Sequence, residues 1–482
     1  MPVDTKHPQY QRMENIWKKA RDVIAGQEAI HQAGELYLPK LSGQKDQDYK
    51  NYLRRALFYN ATQRTLDAMS GLLFRKDPKV QVPRPMEPWL DNIDLNGNSL
   101  QTFAETTADE VLSVGRYGVL VDHPVRTEEV VSAADAERVG FRPFLTGYKA
   151  EDIINWNTVV INNKKILNLV VLTEMVTVTN NADQFDHEYV TKYRVLDLDE
   201  EGFYRQRIYI EDTSGVNVQE KIIRQEGEDI YPTRNGEKMR AIPFLIISSK
   251  DADFDVVKPP MLDLINVNVS HYKTSADLEH GAHFTGLPTV ITTGHTLEDG
   301  KKLKIGSASA WVFPEPEANA FFLEFKGEGL EALEKRMDVK QQQMATLGAR
   351  LLADESAMAE TAEAHIIKRQ GENSALCTIA TNVSHGIQVG LKVMAEWVNL
   401  PSEDIVYQIN KDFLPSTMEP AMILALLQSV QSGSLSFSEF VRNLQQGEII
   451  SADKTPEDIM AEIDASGLGG QGLGGLTEED EI

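Results

Sequence analysis

In "LEALEKRMDVKQQQMATLGARL", residues 330–351, apolar side chains return every seven positions: Leu330, Met337, Met344 and Leu351, with Leu333 and Leu347 between them. Lys340 interrupts the stripe, and the other faces are largely charged or glutamine. A seam this narrow predicts a rod that packs along one edge only, ~33 Å long at 1.5 Å per residue. A second seam precedes it in "MLDLINVNVSHYKTSADLEHGAHF", residues 261–284, where Leu262, Val269 and Ala276 repeat by seven with Ile265 and Tyr272 between. Pro259 and Pro260 stand before that rod, and Gly286 and Pro288 follow it, the punctuation expected of helix ends. Residues 287–329 hold three strand-like runs, "PTVIT", "SAWVF" and "AFFLEF". A small β-unit is therefore expected between two rods. Beyond Leu351 the period stops, and "ADESAMAETAEA" (353–364) carries Asp354, Glu355, Glu360 and Glu363 with no basic residue. Alanine would support a continued solvated helix, but the lost period predicts a loop or bend.

Elsewhere the chain alternates in larger blocks. Residues 45–74 read as helix, with Leu53, Leu57, Leu66, Met69 and Leu73 as apolar positions, until Pro78, Pro83, Pro85 and Pro88 break the pattern. Ser99 is placed to cap a helix that runs to Val114, where Gly115 stops it before the strand "RYGVLVDHP". From Phe141 to Ser249 the signal is β, with hairpin turns expected at Asn162-Asn163 and at Glu201-Gly202. The short spacing of turns predicts an antiparallel sheet. Residues 361–398 read as a long helix interrupted near Gly371, "DIVYQI" as a short strand, and 416–463 as three helical pieces. The final "ASGLGGQGLGGLTEEDEI" has the composition of a disordered tail. The class is α+β.

Charge changes the picture. With 48 basic and 73 acidic residues, a net −25, the chain is a poor gripper of phosphates, although it could surround DNA without sticking to it. No stretch approaches ~18 uninterrupted apolar residues, so no membrane-spanning segment is expected. The N-terminal stretch lacks an apolar core of the signal-peptide kind. A single cysteine, Cys377, leaves no internal disulfide and suits a reducing cytoplasm.

Candidate chemistry is sparse. "GHTLEDGKKL" departs from a phosphate loop, because five residues separate Gly294 from Gly300 and Lys302 stands where the hydroxyl is needed. His280 and His283 share a helical neighbourhood with Glu279, but no third ligand is evident. Cys377 and His385 would lie ~12 Å apart along a helix, too far for a catalytic pair. Asp122 ends a strand without an identifiable partner. No catalytic constellation emerges, and no cofactor or metal is expected.

The order of segments resembles that of phage portal, or head–tail connector, proteins. So do several stretches: "YNATQRTLDAMSGLLFRKDP" (59–78), "VGRYGVLVDHP" (114–124), "FRPFLTGYKAEDIINW" (141–156) and "GLPTVITTG" (286–294) look like a portal-like branch of that family. The resemblance covers roughly residues 40–465. It implies a wing at 1–258, a first stem helix at 259–286, a small α/β clip at 287–329 and a second stem helix at 330–352. A tunnel loop (353–364), a long wing helix and return strand (365–412), a helical crown (413–465) and an acidic tail (466–482) would follow. Portals work as dodecameric rings at one capsid vertex, so the resemblance implies homo-oligomerisation, a place in the virion, and contacts with capsid or scaffold protein. It further implies docking of the terminase large subunit and then of adaptor or tail proteins. Double-stranded DNA would pass through the channel without sequence-specific binding, and the portal itself would hydrolyse nothing.

On that mapping Asp354, Glu355, Glu360 and Glu363 would line the bore. The two apolar stripes would be stem seams, and the cluster Lys301, Lys302 and Lys304, read by itself as a solvated turn, would alternatively offer a clip docking site. Two narrow seams are also more apolar stripe than a single chain is expected to cover, which favours rings. Another virion structural protein of the tail or baseplate, or a soluble α+β enzyme with a dispersed site, remains open as an alternative.

Overall fold

The computed structural model describes residues 2–124, 140–180, 183–212, 222–251, 253–286, 289–294, 311–313, 315–323, 328–351, 374–413, 420–431, 435–446, 449–450, 455 and 458–459. The chain forms two units, Met1–Lys411 and Asp412–Ile482.

The first unit starts with helices. His7 caps α1 (Pro8–Ala25) by accepting from the Gln9 amide, and Pro8 supplies the preset first-turn φ. The helix buries Tyr10, Trp17, Ala20 and Val23. A short α2 (Gln27–Ala33) follows. The expected single helix over 45–74 is instead two, α3 (Asp46–Arg55) and α4 (Ala61–Leu73). The reason is local: Ala56 turns extended, and the Asn60 side chain accepts from the Gln63 amide to begin a new helix. The proline-rich stretch forms β1 (Lys79–Gln81) and a 3₁₀ run, then Ser99 Oγ accepts from the Thr102 amide to open α5 (Leu100–Val114). Gly115 ends α5 in the left-handed region, φ 88°, where a side chain would be strained.

Two antiparallel sheets carry the β character. In the smaller, β2 (Arg116–Asp122) lies between β3 (Phe144–Lys149) and β11 (Phe244–Ser248), buried at all seven positions. The larger has the order β4-β5-β6-β7-β8, spanning Ile153–Ile161, Lys164–Asn180, Asp183–Leu198, Tyr204–Asp212 and Ile222–Ile230. Its first turn is the expected Asn162-Asn163, both with positive φ (52° and 61°), the geometry of a tight hairpin. Gly202, φ 79°, turns the β6–β7 hairpin as expected. A minor pair, β9 (Thr233–Arg234) and β10 (Glu237–Lys238), precedes β11.

The two rods are α6 (Leu262–Thr285) and α7 (Glu328–Arg350). Between them β12 (Thr289–Thr293) pairs antiparallel with β13 (Asn319–Leu323). The expected middle run "SAWVF" forms no strand at its described residues 311–313. Helix α8 (Ala375–Trp397) covers the smaller sheet, and Gly386 and Gly390 let it approach Ile247 and Leu145. β14 (Val406–Gln408) then pairs with β1. In the second unit, α9 (Pro420–Gln431) and α10 (Phe437–Gln446) pack on each other. The fold is α+β with open sheets, and no described helix is long and apolar enough to cross a membrane.

Candidate functional site

The two rods lie side by side and antiparallel. Near the start of α7, Leu330 packs so closely on Gly281 that a Cβ there would meet it at 2.6 Å. Halfway along, Lys340 Nζ donates to the Ser270 carbonyl (2.9 Å) and to Thr274 Oγ1 (2.5 Å) on α6. Near its end, Gly348 reaches Thr65 of α4, and beyond it the Leu376 amide donates to the Leu351 carbonyl.

Burial along α7 follows the heptad. Leu330, Leu333, Met337 and Leu347 are half-buried, Met344 and Leu351 are buried, and Lys340 and Gly348 are the other positions from 330 to 351 not exposed. The stripe on α6 buries Ile265, Val269 and Tyr272 and half-buries Leu262. The α7 stripe lies on the Ser270, Thr274 and Gly281 side of α6, whereas the α6 stripe faces the body of the unit, with Tyr272 against Phe58 and His31. Leu262, Leu330, Leu333, Met337 and Leu347 keep part of their surface uncovered within one chain.

α6 is held on further sides. Asn268 Oδ1 accepts from the Thr62 amide (3.1 Å) and hydroxyl (2.9 Å), while its Nδ2 donates to the Tyr59 carbonyl (2.8 Å). Tyr52 donates to Asp277 at 2.6 Å, and Tyr272 meets the Phe58 ring edge-on with centroids 5.8 Å apart. Burial and the nearby Arg336 charge pull the Lys340 ammonium below its ordinary value. Burial, with Lys340 adding to it, does the same to His271, whose ring nitrogens have no hydrogen-bond partner among the described residues.

Asp354, Glu355, Glu360 and Glu363, expected to line a bore, and the cluster Lys301, Lys302 and Lys304 lie outside the described residues, as do 353–364 and the acidic tail. Cys377 is buried on α8 while His385 is exposed. His283 is hydrogen-bonded with Arg55 at 2.9 Å, and His280 packs edge-on against Tyr52 and Phe284. Among the described residues no group of three or more His, Cys, Asp or Glu is placed to hold a metal ion.

Two ionic braces were not legible in the sequence. Arg194 donates to Asp122 (2.8 Å) and Glu174 (2.8 Å), and Tyr148 also donates to Glu174 (2.6 Å), tying the two sheets together. Burial pulls Arg194 downward, but Tyr148, Glu174 and Asp122 hold its charged form above the usual value. Arg21 forks onto both Glu110 and Glu151, joining α1 to α5 and to the turn before β4. Such saturated, partly buried pairs position elements. Neither leaves a carboxylate poised for proton transfer.

A family described as a domain of unknown function (DUF4055) matches residues 260–398, from the start of α6 to the end of α8. No curated protein matches the chain. A chain from a solved structure entitled "Neck of empty GTA particle computed with C6 symmetry" is similar at 13% identity and a TM-score of 0.40, covering 84% of this chain and 94% of that chain. One from "Virion of native gene transfer agent (GTA) particle" is 12% identical, with a TM-score of 0.39 and the same coverage. A third, from "Neck of native GTA particle computed with C12 symmetry", is 14% identical, with a TM-score of 0.37, covering 83% and 94%.

Proposed function

We propose that the protein is the portal subunit of a phage-like particle, a structural ring component through which double-stranded DNA enters and leaves the head. One observation carries the reading: an antiparallel pair of long helices bracketing a β-hairpin, rooted in a β-rich body. The resemblance of segment order and sequence stretches to portals supports the same conclusion. In a ring, α7 would turn its uncovered glutamine and charged faces to a wet channel or to neighbours. Net negative charge would let DNA slide, since a basic wall would bind it through phosphate contacts. The terminase would dock at the hairpin end, adaptor or tail proteins would follow, and no step would be catalytic.

Replacing Asp354, Glu355, Glu360 and Glu363 with Lys tests the channel directly. Packaging in assembled heads should slow, and the rings should acquire salt-dependent DNA binding. Unchanged packaging and retention would remove these residues from the bore.

A further inference from the structure

Arg116, the first residue of β2, is 1% exposed, yet its Nε, Nη1 and Nη2 find no acceptor among the described residues. A buried guanidinium without a carboxylate is costly, because nothing replaces its lost hydration. Its nearest compensation is the Trp156 ring, whose centroid lies 4.4 Å from the guanidinium carbon. The same ring stacks on His7 at 4.0 Å. An aromatic face is a weaker partner than a carboxylate.

The surroundings are the joint by which the chain leaves the β-rich body for α6. A Cβ on Gly115 would meet Pro259 Cα at 3.4 Å, and the Ser249 amide donates to the Gly115 carbonyl at 3.0 Å. Asp255 is an exposed carboxylate within that joint. Gln9, in the first turn of α1, occupies it: Nε2 donates to Asp255 Oδ1 at 2.6 Å, and Oε1 accepts from the Val256 amide at 2.8 Å. Burial pulls the Arg116 pKa down, to about 10, and Asp255 is the group whose charge opposes that.

We propose that Arg116 and Asp255 are two halves of a latch on this joint, held open by Gln9. In the closed state Asp255 leaves the Gln9 amide and turns inward onto the guanidinium, which slides off Trp156. The segment from Asp253 to Val257 moves with it, and so does the first turn of α6. The position of α1 thereby sets the seating of the rod. This inference is independent of the portal reading, because it concerns a joint within one chain.

Gln9→Ala frees Asp255 without altering either charge. The readout is the Trp156 contribution to fluorescence, isolated by subtracting a Trp156→Phe partner in each background. Gln9→Ala should shift that contribution, and Gln9→Ala with Asp255→Asn should restore it. An unchanged signal in Gln9→Ala, or the same change in both variants, overturns the latch. Thermal unfolding gives an independent check. Asp255→Asn should lower Tm more in the Gln9→Ala background than in the parent, whereas equal shifts mean no coupling and overturn the proposal.

Discussion

The two rods share a heptad period but differ in what covers them. α6 is enclosed: α7 lies on one side and α1, α3 and α4 on others, so His271, Thr274 and Ser275 are buried along with its apolar stripe. α7 is covered along one stripe, and Val339, between two seam positions, stays 52% exposed. The same sequence period therefore serves two purposes. On α6 the seam is one wall of a core, and off the seam Asn268 is satisfied by Thr62 and Tyr59 while the His271 ring nitrogens find no partner among the described residues. On α7 the seam is the attachment itself, and apart from Gly348 against Thr65 the positions off it are exposed.

That difference is broken most severely by a charge in the attachment. Met344→Glu places a carboxylate in a 3% exposed site on the covered stripe, and should cost several kcal/mol. Gln342→Glu, on an exposed face two residues away, should stay within about 0.5 kcal/mol. Urea unfolding of both variants checks this. Comparable losses would mean that α7 is covered on more than one stripe.

Truncations compare the rods at a smaller scale. Tyr272→Ala empties a fully buried site on α6 and should cost about 3–5 kcal/mol, whereas Leu333→Ala, half-buried on α7, should cost about 1 kcal/mol. Lys340→Met sharpens the comparison further. The ammonium is satisfied by Ser270 and Thr274, so the apolar replacement should be neutral or stabilising. A single polar group in a seam also fixes register. Loss of the Lys340 contact should therefore broaden the spin-label distance distribution between the rods while Tm holds or rises. A sharp distance with a lowered Tm would contradict that role.

A further expected effect is conditional on pH. Burial first, then the charges of Asp67, Glu105 and Glu110, raise the Asp109 carboxyl on α5 from 3.8 to about 6, although Ser70 opposes them. A raised folded-state pKa means the stabilising protonated form is fully present below about 4 and is lost as pH rises through about 6. Asp109→Asn should therefore match the parent near pH 4 and exceed its Tm at pH 7.5. A constant difference across that range would leave Asp109 without the assigned titration.

The features legible in the sequence were those set by neighbours along the chain. The Ser99 cap, the Gly115 stop and the Asn162-Asn163 turn depend on a few adjacent residues, and the heptad of α7 reports its own buried stripe. The break at Ala56–Asn60 was missed because the apolar spacing of Leu53, Leu57 and Leu66 continues across it while the backbone does not. Asp122 had no visible partner because Arg194 is 72 residues away and sheet pairing brings them together. What covers a seam was equally hidden. Periodicity reveals that a stripe is buried and is silent on whether the other helix belongs to the same chain.

The central claim concerns association, and particle mass tests it most directly. Twelve copies of a 53.9 kDa chain make about 647 kDa. A net charge of −25 per copy opposes closure, so rings should grow more populated as salt shortens the Debye length to ~10 Å near 0.1 M and below that at higher salt. Mass photometry of the purified protein across a salt series, with negative-stain images of the same samples, should show particles near that mass with a central pore. Monomers or dimers alone at every salt concentration would contradict the portal assignment.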